Sequence, residues 1–216
     1  MMNWLLKKFI KKYDVISFDV FDTLIERNVR CPSDIFRLVG KAVLGNDKFE
    51  DFCKDRKKAE KDARMKKSGE VTFDEIYEQL DNKYLKIKDK LKFAELRWEL
   101  NLCHIKKNIK PIFDYAILNK KTVYLISDMY LPYNVIEKML KQCNIYGYEK
   151  LYISNEYNKN KITGSLFEIV IKENNLDKKN MLHIGDSIKA DFIGARKAGL
   201  QTFLIGRKNC FGRIFR

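Results

Sequence analysis

The chain has 216 residues, 45% of them hydrophobic, with 43 lysines and arginines against 29 aspartates and glutamates, a formal charge of +14. That is enough apolar material for one good core and a small appended domain, and it excludes a disordered or collagen-like chain. The excess charge is mostly lysine, spread along helical patterns with few interleaved aromatics, which argues for solvated helix faces and against a nucleic-acid groove, while still favouring an approaching phosphate.

The five cysteines (Cys31, Cys53, Cys103, Cys143, Cys210) are scattered, without metal-site spacing. With no signal-peptide pattern ahead of them, they predict reduced thiols in the cytoplasm.

In chain order, Trp4 to Tyr13 sets apolar residues at helical spacing between paired lysines, the pattern of an amphipathic helix. It is too short and too charged to span a bilayer. Two readings stand: a leading helix that packs its Trp and Phe against the core, and a peripheral membrane contact. The basic, aromatic tail from Arg207 to Arg216 would enlarge the second kind of surface.

The run Val15-Ile16-Ser17-Phe18 then stops at Asp19 and gives way to Val20-Phe21-Asp22-Thr23. A buried strand delivering a carboxylate to the C-terminal edge of an open α/β sheet places a nucleophile where such sheets bind ligands. Taken alone, an aspartate there is as readily a turn or cap residue.

From Cys31-Pro32-Ser33-Asp34 the pattern is helical to about Asn108. One helix carries Ile35, Phe36, Val39 and Val43. A second, highly charged one has Phe49, Phe52, Cys53, Ala59 and Ala63, and Thr72-Phe73-Asp74-Glu75 is a capping box opening a third. Leu91 through Ile105 supplies a fourth, with an apolar stripe of Phe93, Leu96, Trp98, Leu100 and Cys103. Four helices with no strand between them should form a bundle, which we place at residues 28–107.

A helix from Pro111 to Leu118 follows, and strands and helices then alternate. The strands end at Ile126, Ile153, Ile184 and Ile205; the helices run from Pro132 to about Cys143, from Ser165 to Lys172 and from Ile188 to Ala198, closed by Gly199. With the first strand this predicts a five-stranded parallel sheet, helices on both faces, built from residues 1–27 and 108–216. Three later strands repeat the grammar of the first, ending at Ser127-Asp128, Ser154-Asn155 and Gly185-Asp186-Ser187, with Lys161-Ile162-Thr163-Gly164 and Asp191 nearby.

The ordered set Asp19 with Thr23, then Ser127, then Lys161, then Gly185-Asp186-Ser187 with Asp191 resembles the four motifs of the haloacid dehalogenase-like hydrolase superfamily. The resemblance implies a Rossmann-like core with the helical insert as its cap. It implies a magnesium-dependent phosphatase in which Asp19 attacks phosphorus and forms an aspartyl-phosphate. Mg2+ would be held by the Asp19 carboxylate, the Phe21 carbonyl and Asp186, with Asp191 a further ligand or an acceptor orienting a metal water. Lys161 would supply counter-charge and Ser127 would donate to a phosphate oxygen; Thr23 and Asp128 border the same substrate site, Asp128 as loop support. His183 reads as a packed core histidine and His104 as partly exposed.

The pattern departs from the family at Phe21, where most of its phosphatases carry an acid; a phenyl ring transfers no proton. Asp22, standing where the family usually has glycine, either takes over the acid/base role or only hydrogen-bonds backbone. The aromatic at Phe21 also occurs in the superfamily's haloacid dehalogenases, whereas Gly185-Asp186 with Asp191 argues for a metal and for phosphorus. Phosphonate cleavage, using a cap lysine, is a third option, and a lapsed enzyme kept as a binding or assembly protein at the membrane face is a fourth. The wording of the first two motifs resembles a branch associated with bacterial surface-polysaccharide synthesis, which implies a phosphorylated sugar or a sugar-linked alcohol phosphate, a small metabolite that a closing cap can enclose.

Overall fold

The structure is a computed structural model describing residues 2–206. Along the chain come α1 (Met2–Lys11), β1 (Val15–Asp19), β2 (Ile25–Arg27), α2 (Asp34–Leu44), α3 (Phe49–Lys66), α4 (Phe73–Glu78), a 3-10 turn (Asn82–Ile87), α5 (Lys88–Leu102) and β3 (Cys103–Ile105). They continue with α6 (Lys110–Leu118), β4 (Thr122–Ser127), α7 (Tyr133–Gln142), β5 (Lys150–Ile153), α8 (Ser154–Tyr157), α9 (Ser165–Glu173), β6 (Met181–Gly185), a π-type turn (Ile188–Gly194), α10 (Ala195–Lys197) and β7 (Gln201–Leu204). Contacts divide the chain into two compact units. One comprises the described chain up to Glu26, His104–Met129 and the described chain from Leu140 onward; the other comprises Arg27–Cys103 with Tyr130–Met139. No described helix is long and apolar enough to cross a membrane.

The first unit is the expected five-stranded parallel sheet, in the order β5-β4-β1-β6-β7. Its central strands are buried along their length and read as near-continuous apolar runs, as parallel strands covered on both faces do. Alternation sends Val15, Tyr124, Ile126 and Met181 to one face, where they pack with Leu166 and Phe167 of α9. Phe18 goes to the other face and meets Phe113 of α6, ring centroids 5.6 Å apart. The register Asp19↔Ile126 and Phe18↔Ile184 brings the C-terminal ends of β1, β4 and β6 level with one another.

In the second unit the capping box forms as expected: Thr72 Oγ1 accepts the Glu75 N–H and the Glu75 carboxylate accepts the Thr72 N–H. The fourth helix differs from expectation in two ways. It ends at Leu102, and Cys103–Ile105 is a strand pairing with β2 in a separate two-stranded sheet. Its buried line is Leu91, Glu95 and Glu99, at i, i+4 and i+8, while Phe93 is 67% exposed.

The cause is two buried arginines. Arg56 of α3, fully buried, donates from Nε (2.9 Å) and Nη2 (2.7 Å) to Glu95, which also accepts the Tyr77 hydroxyl at 2.8 Å. Arg27 donates to Glu99 at 2.6 Å. The Arg56 guanidinium lies over the rings of Phe36, Tyr77 and Tyr130, and the Tyr130 ring stacks on Phe73. Buried charge persists only where paired and hydrogen-bonded, so α5 turns its glutamates inward.

A third difference falls on the helix expected from Ile188 to Ala198. Its first half is the π-type turn, in which the Phe192 N–H reaches back to the Ser187 carbonyl. The Arg207–Arg216 tail and Cys210 lie outside the described residues.

Candidate active site

Three chain segments far apart in sequence meet at the C-terminal edge of the sheet in the first unit. Asp19 ends β1, Gly185 ends β6 with Asp186 next, and Lys161 lies in the loop before α9; all three side chains are buried. Lys161 Nζ sits between two carboxylates, donating to Asp19 Oδ1 at 2.5 Å and to Asp191 Oδ1 at 2.6 Å. One oxygen from each of Asp19, Asp186 and Asp191 lies within 4.8 Å of the other two.

The π-type turn explains how Asp191 arrives there. It folds Asp191 back over the end of β6, where Oδ2 accepts the N–H groups of Asp186 (3.0 Å) and Ser187 (2.8 Å). A side chain at 185 would put a Cβ 2.3 Å from the Asp191 carboxyl carbon, so glycine there is a requirement of the approach. Gly194 does the same at the other end of the turn: a Cβ would fall 1.8 Å from the Lys161 carbonyl oxygen. Asp128 completes the support by accepting the Lys161 N–H, at 2.9 and 3.1 Å to its two oxygens. The lysine is thus held by its backbone as well as by its ammonium group.

Behind the site lies a polar layer that the apolar pattern of the sequence conceals. Ser17 pairs in register with His183 across β1 and β6. Ser17 Oγ and His183 Nδ1 are 2.8 Å apart, and His183 Nε2 is 3.1 Å from Asp191 Oδ1. His183 is therefore a packed core residue, edge-on to Phe167, and also part of the chain of contacts leading to Lys161. Ser17, two residues before Asp19 and so on the same strand face, was the available signal.

Electrostatics follow from burial. Desolvation, reinforced by Asp191 and Asp186, pushes Asp19 up to about 8 against the pull of Lys161. Burial opposes the charged form of Lys161, yet Asp19 and Asp191 hold it well above its ordinary value. Asp191 is held far below the usual carboxylate range: burial is outweighed by Lys161 and by hydrogen bonding to His183. Burial lowers His183, favouring the neutral ring.

Two of the three clustered carboxylates, Asp19 and Asp191, thus share one ammonium group, and Asp19 Oδ2 is buried without accepting a hydrogen bond. An all-oxygen cluster of this kind suits a hard divalent cation such as Mg2+. Asp19 and Asp186 could ligate it directly. Asp191 already accepts four donors at its two oxygens, which fits it better to holding Lys161 and the turn.

Thr23 is buried, its Oγ1 3.5 Å from Asp186 Oδ1, a long contact at the limit of hydrogen bonding. Ser127 is buried at the end of β4, and the Met129 N–H that follows donates to Ser154 Oγ at 3.0 Å. Phe21 is half-buried and bridges to Ile25. Asp22 takes a left-handed backbone, φ 60°; its N–H donates to the Ile25 carbonyl and its own carbonyl accepts the Lys106 ammonium. Lys106, buried, left no signal in a lysine-rich chain.

A model of the haloacid dehalogenase-like hydrolase family matches residues 13–199. Among solved structures, the HAD-type hydrolase YfnB of Bacillus subtilis, bound to magnesium, is similar at TM-score 0.64 and 18% identity, over 90% of this chain and 89% of that one. A 2-haloacid dehalogenase from Pseudomonas syringae aligns at TM-score 0.61 and 16% identity (89% and 86% covered). A predicted phosphoglycolate phosphatase from Haemophilus somnus aligns at 0.59 and 14% (90% and 85%). No curated protein matches the chain. At these identities the structural likeness speaks for the fold, and the family match, spanning most of the sequence, establishes that this chain belongs to the haloacid dehalogenase-like hydrolases.

Proposed function

We propose that the protein is a magnesium-dependent phosphomonoesterase acting on a small phosphate ester. The observation that carries this is the Asp19–Asp186–Asp191 cluster at the sheet edge with Lys161 inserted into it. Asp19 is the nucleophile: its carboxylate oxygen bonds to phosphorus as the ester P–O bond breaks, and water then cleaves the aspartyl-phosphate. Lys161 neutralises Asp19 and the incoming phosphate, and the Ser127 hydroxyl donates to a phosphate oxygen. Asp19, the Phe21 carbonyl and Asp186 would hold Mg2+, which would supply Lewis-acid stabilisation of the charge on the transferring group. Asp191 positions Lys161. Asp128 borders the substrate and holds the Lys161 backbone, and Thr23 steadies Asp186.

Because Phe21 offers no proton, we assign the acid/base role to Asp22, the carboxyl next to it in the same turn. The substrate class we favour is a sugar phosphate or a sugar-linked alcohol phosphate. That rests on the motif resemblance, and its place in surface-polysaccharide synthesis rests on the same likeness alone. Residues 28–107 would serve as the cap that selects it, and the protein would work in the cytoplasm.

A second reading, haloacid hydrolysis, draws on Phe21. It sits poorly with three carboxylates gathered at one point, since displacement at carbon by Asp19 has no use for a cation there. Phosphate release from a panel of sugar and polyol phosphates, with Mg2+ and with a chelator, tests the proposal beside halide release from 2-haloacids. Magnesium-dependent phosphate release supports it. Halide release indifferent to the chelator, with no phosphate release, refutes it.

A further inference from the structure

The leading helix divides its residues in a way neither sequence reading foresaw. Leu6 and Ile10 of α1 are fully buried, and Phe9 packs edge-on against Phe203 of β7, centroids 5.6 Å apart. Trp4 does not follow them inward: it is 62% exposed, and Leu5 beside it is 44% exposed. At 100° per residue the outward side of the helix holds Trp4, Leu5, Lys8 and Lys11, with Lys12 just past its end, all exposed. No acidic residue lies on α1. Lys8 Nζ stands 4.0 Å from the centre of the Trp4 ring, so the apolar and cationic parts form one patch.

Neighbouring α6 extends it. Lys7 lies over the Tyr115 ring, Lys121 Nζ reaches the Lys11 carbonyl, and Leu118 at the end of α6 is 80% exposed.

We propose that this outward face of α1 docks the protein on an anionic lipid surface. The apolar residues whose burial holds the fold together are already spent inward. What remains outside is a tryptophan and a leucine among lysines, the combination that settles at a headgroup boundary: the indole takes the amphipathic interface and the ammonium groups meet lipid phosphates. A nucleic-acid partner fits less well, because one outward aromatic on a convex helix offers no row of stacking platforms. Nor does the helix have the length to go deeper than the interface. The inference is independent of the proposed catalysis.

Co-sedimentation of the full chain with phosphatidylcholine vesicles, with and without phosphatidylglycerol, tests it. Binding is expected to the anionic vesicles and to weaken with salt. Each lysine is worth about fivefold in binding, so K8E/K11E/K12E should abolish it. W4S/L5S should weaken it by about tenfold or more through lost apolar contact. Both changes lie at exposed positions, and an unchanged circular dichroism melt shows that the fold is kept. Removing residues 207–216 should leave measurable α1-dependent binding. The proposal is overturned by no binding to anionic vesicles at low salt, by equal binding to neutral ones, or by α1 variants that bind as the parent does. It is likewise overturned if the chain ignores vesicles yet binds single-stranded nucleic acid through the same lysines.

Discussion

Replacing Glu95 by glutamine removes one charge from the most buried ion pair in the second unit while nearly keeping the side-chain shape. Glu95 and Arg56 are each fully buried, and the carboxylate accepts three hydrogen bonds, two from Arg56 and one from the Tyr77 hydroxyl. Glutamine keeps one acceptor oxygen and turns an NH2 group toward the guanidinium, so a buried arginine charge loses its closer counter-ion and keeps only Glu60, 3.6 Å away. Breaking such a pair from one side costs about 3–5 kcal/mol. At about 2–4 °C per kcal/mol for a chain of this size, thermal denaturation followed by circular dichroism should fall by roughly 10 °C.

Removing all the polar groups together, as R56M/E95L/Y77F, should recover most of that loss, because buried pairs are often no more stable than apolar residues of similar volume. Glu60, 3.6 Å from Arg56, keeps its contact with Arg64 in that variant. A loss below about 1 kcal/mol in E95Q would refute the reasoning, since it would mean that Arg56 does not depend on Glu95.

Three further outcomes are expected. Gly185→Ala should drive Asp191 off the Asp186 and Ser187 N–H groups, and activity should drop by about a hundredfold or more with a smaller loss of stability; unchanged turnover would contradict the close approach. In chelator-treated protein the folded state binds a proton at Asp19 that the unfolded chain releases near pH 4. The Asp19 contribution to stability should therefore fall as pH rises from about 4 to about 8, read as the slope of the parent minus that of Asp19→Asn, because His183, lowered by burial, contributes in the opposite sense; a difference that rises with pH would show the sign to be wrong. Asp22→Asn should leave turnover of an aryl phosphate with a good leaving group intact while slowing an alkyl phosphate by about 10²-fold or more. Equal effects on both esters would confine Asp22 to its backbone role.

The sheet was legible because parallel strands covered on both faces must be written as apolar runs. Such runs end where the chain turns, which is why Asp19, Ser127 and Asp186 stand out in the sequence. Pairing β1 with both β4 and β6 then sets those ends side by side. Asp191 was harder to place: a helical pattern from Ile188 to Ala198 conceals the π-type turn that returns its carboxylate to the β6 end.

In the second unit, polarity and burial part company. A pattern of apolar residues turns Phe93 inward and Glu95 outward, and the structure does the reverse, because Arg56 and Arg27 approach from helix and strand positions 39 and 72 residues away. No local window contains those partners. For the same reason Cys103–Ile105 looked like the end of a helix: its strand exists only through pairing with Ile25–Arg27. The leading helix mixes the two cases, Phe9 turning in and Trp4 staying out.

The central claim is that Asp19 accepts a phosphoryl group with the help of a cation held beside Asp186. Mass spectrometry of the protein quenched in acid during turnover of a phosphate ester tests it most directly. A phosphorylated peptide containing Asp19 should appear with Mg2+, disappear with a chelator, and be absent from Asp19→Asn. An Asp19→Asn protein that hydrolyses the ester at the parental rate would contradict the account.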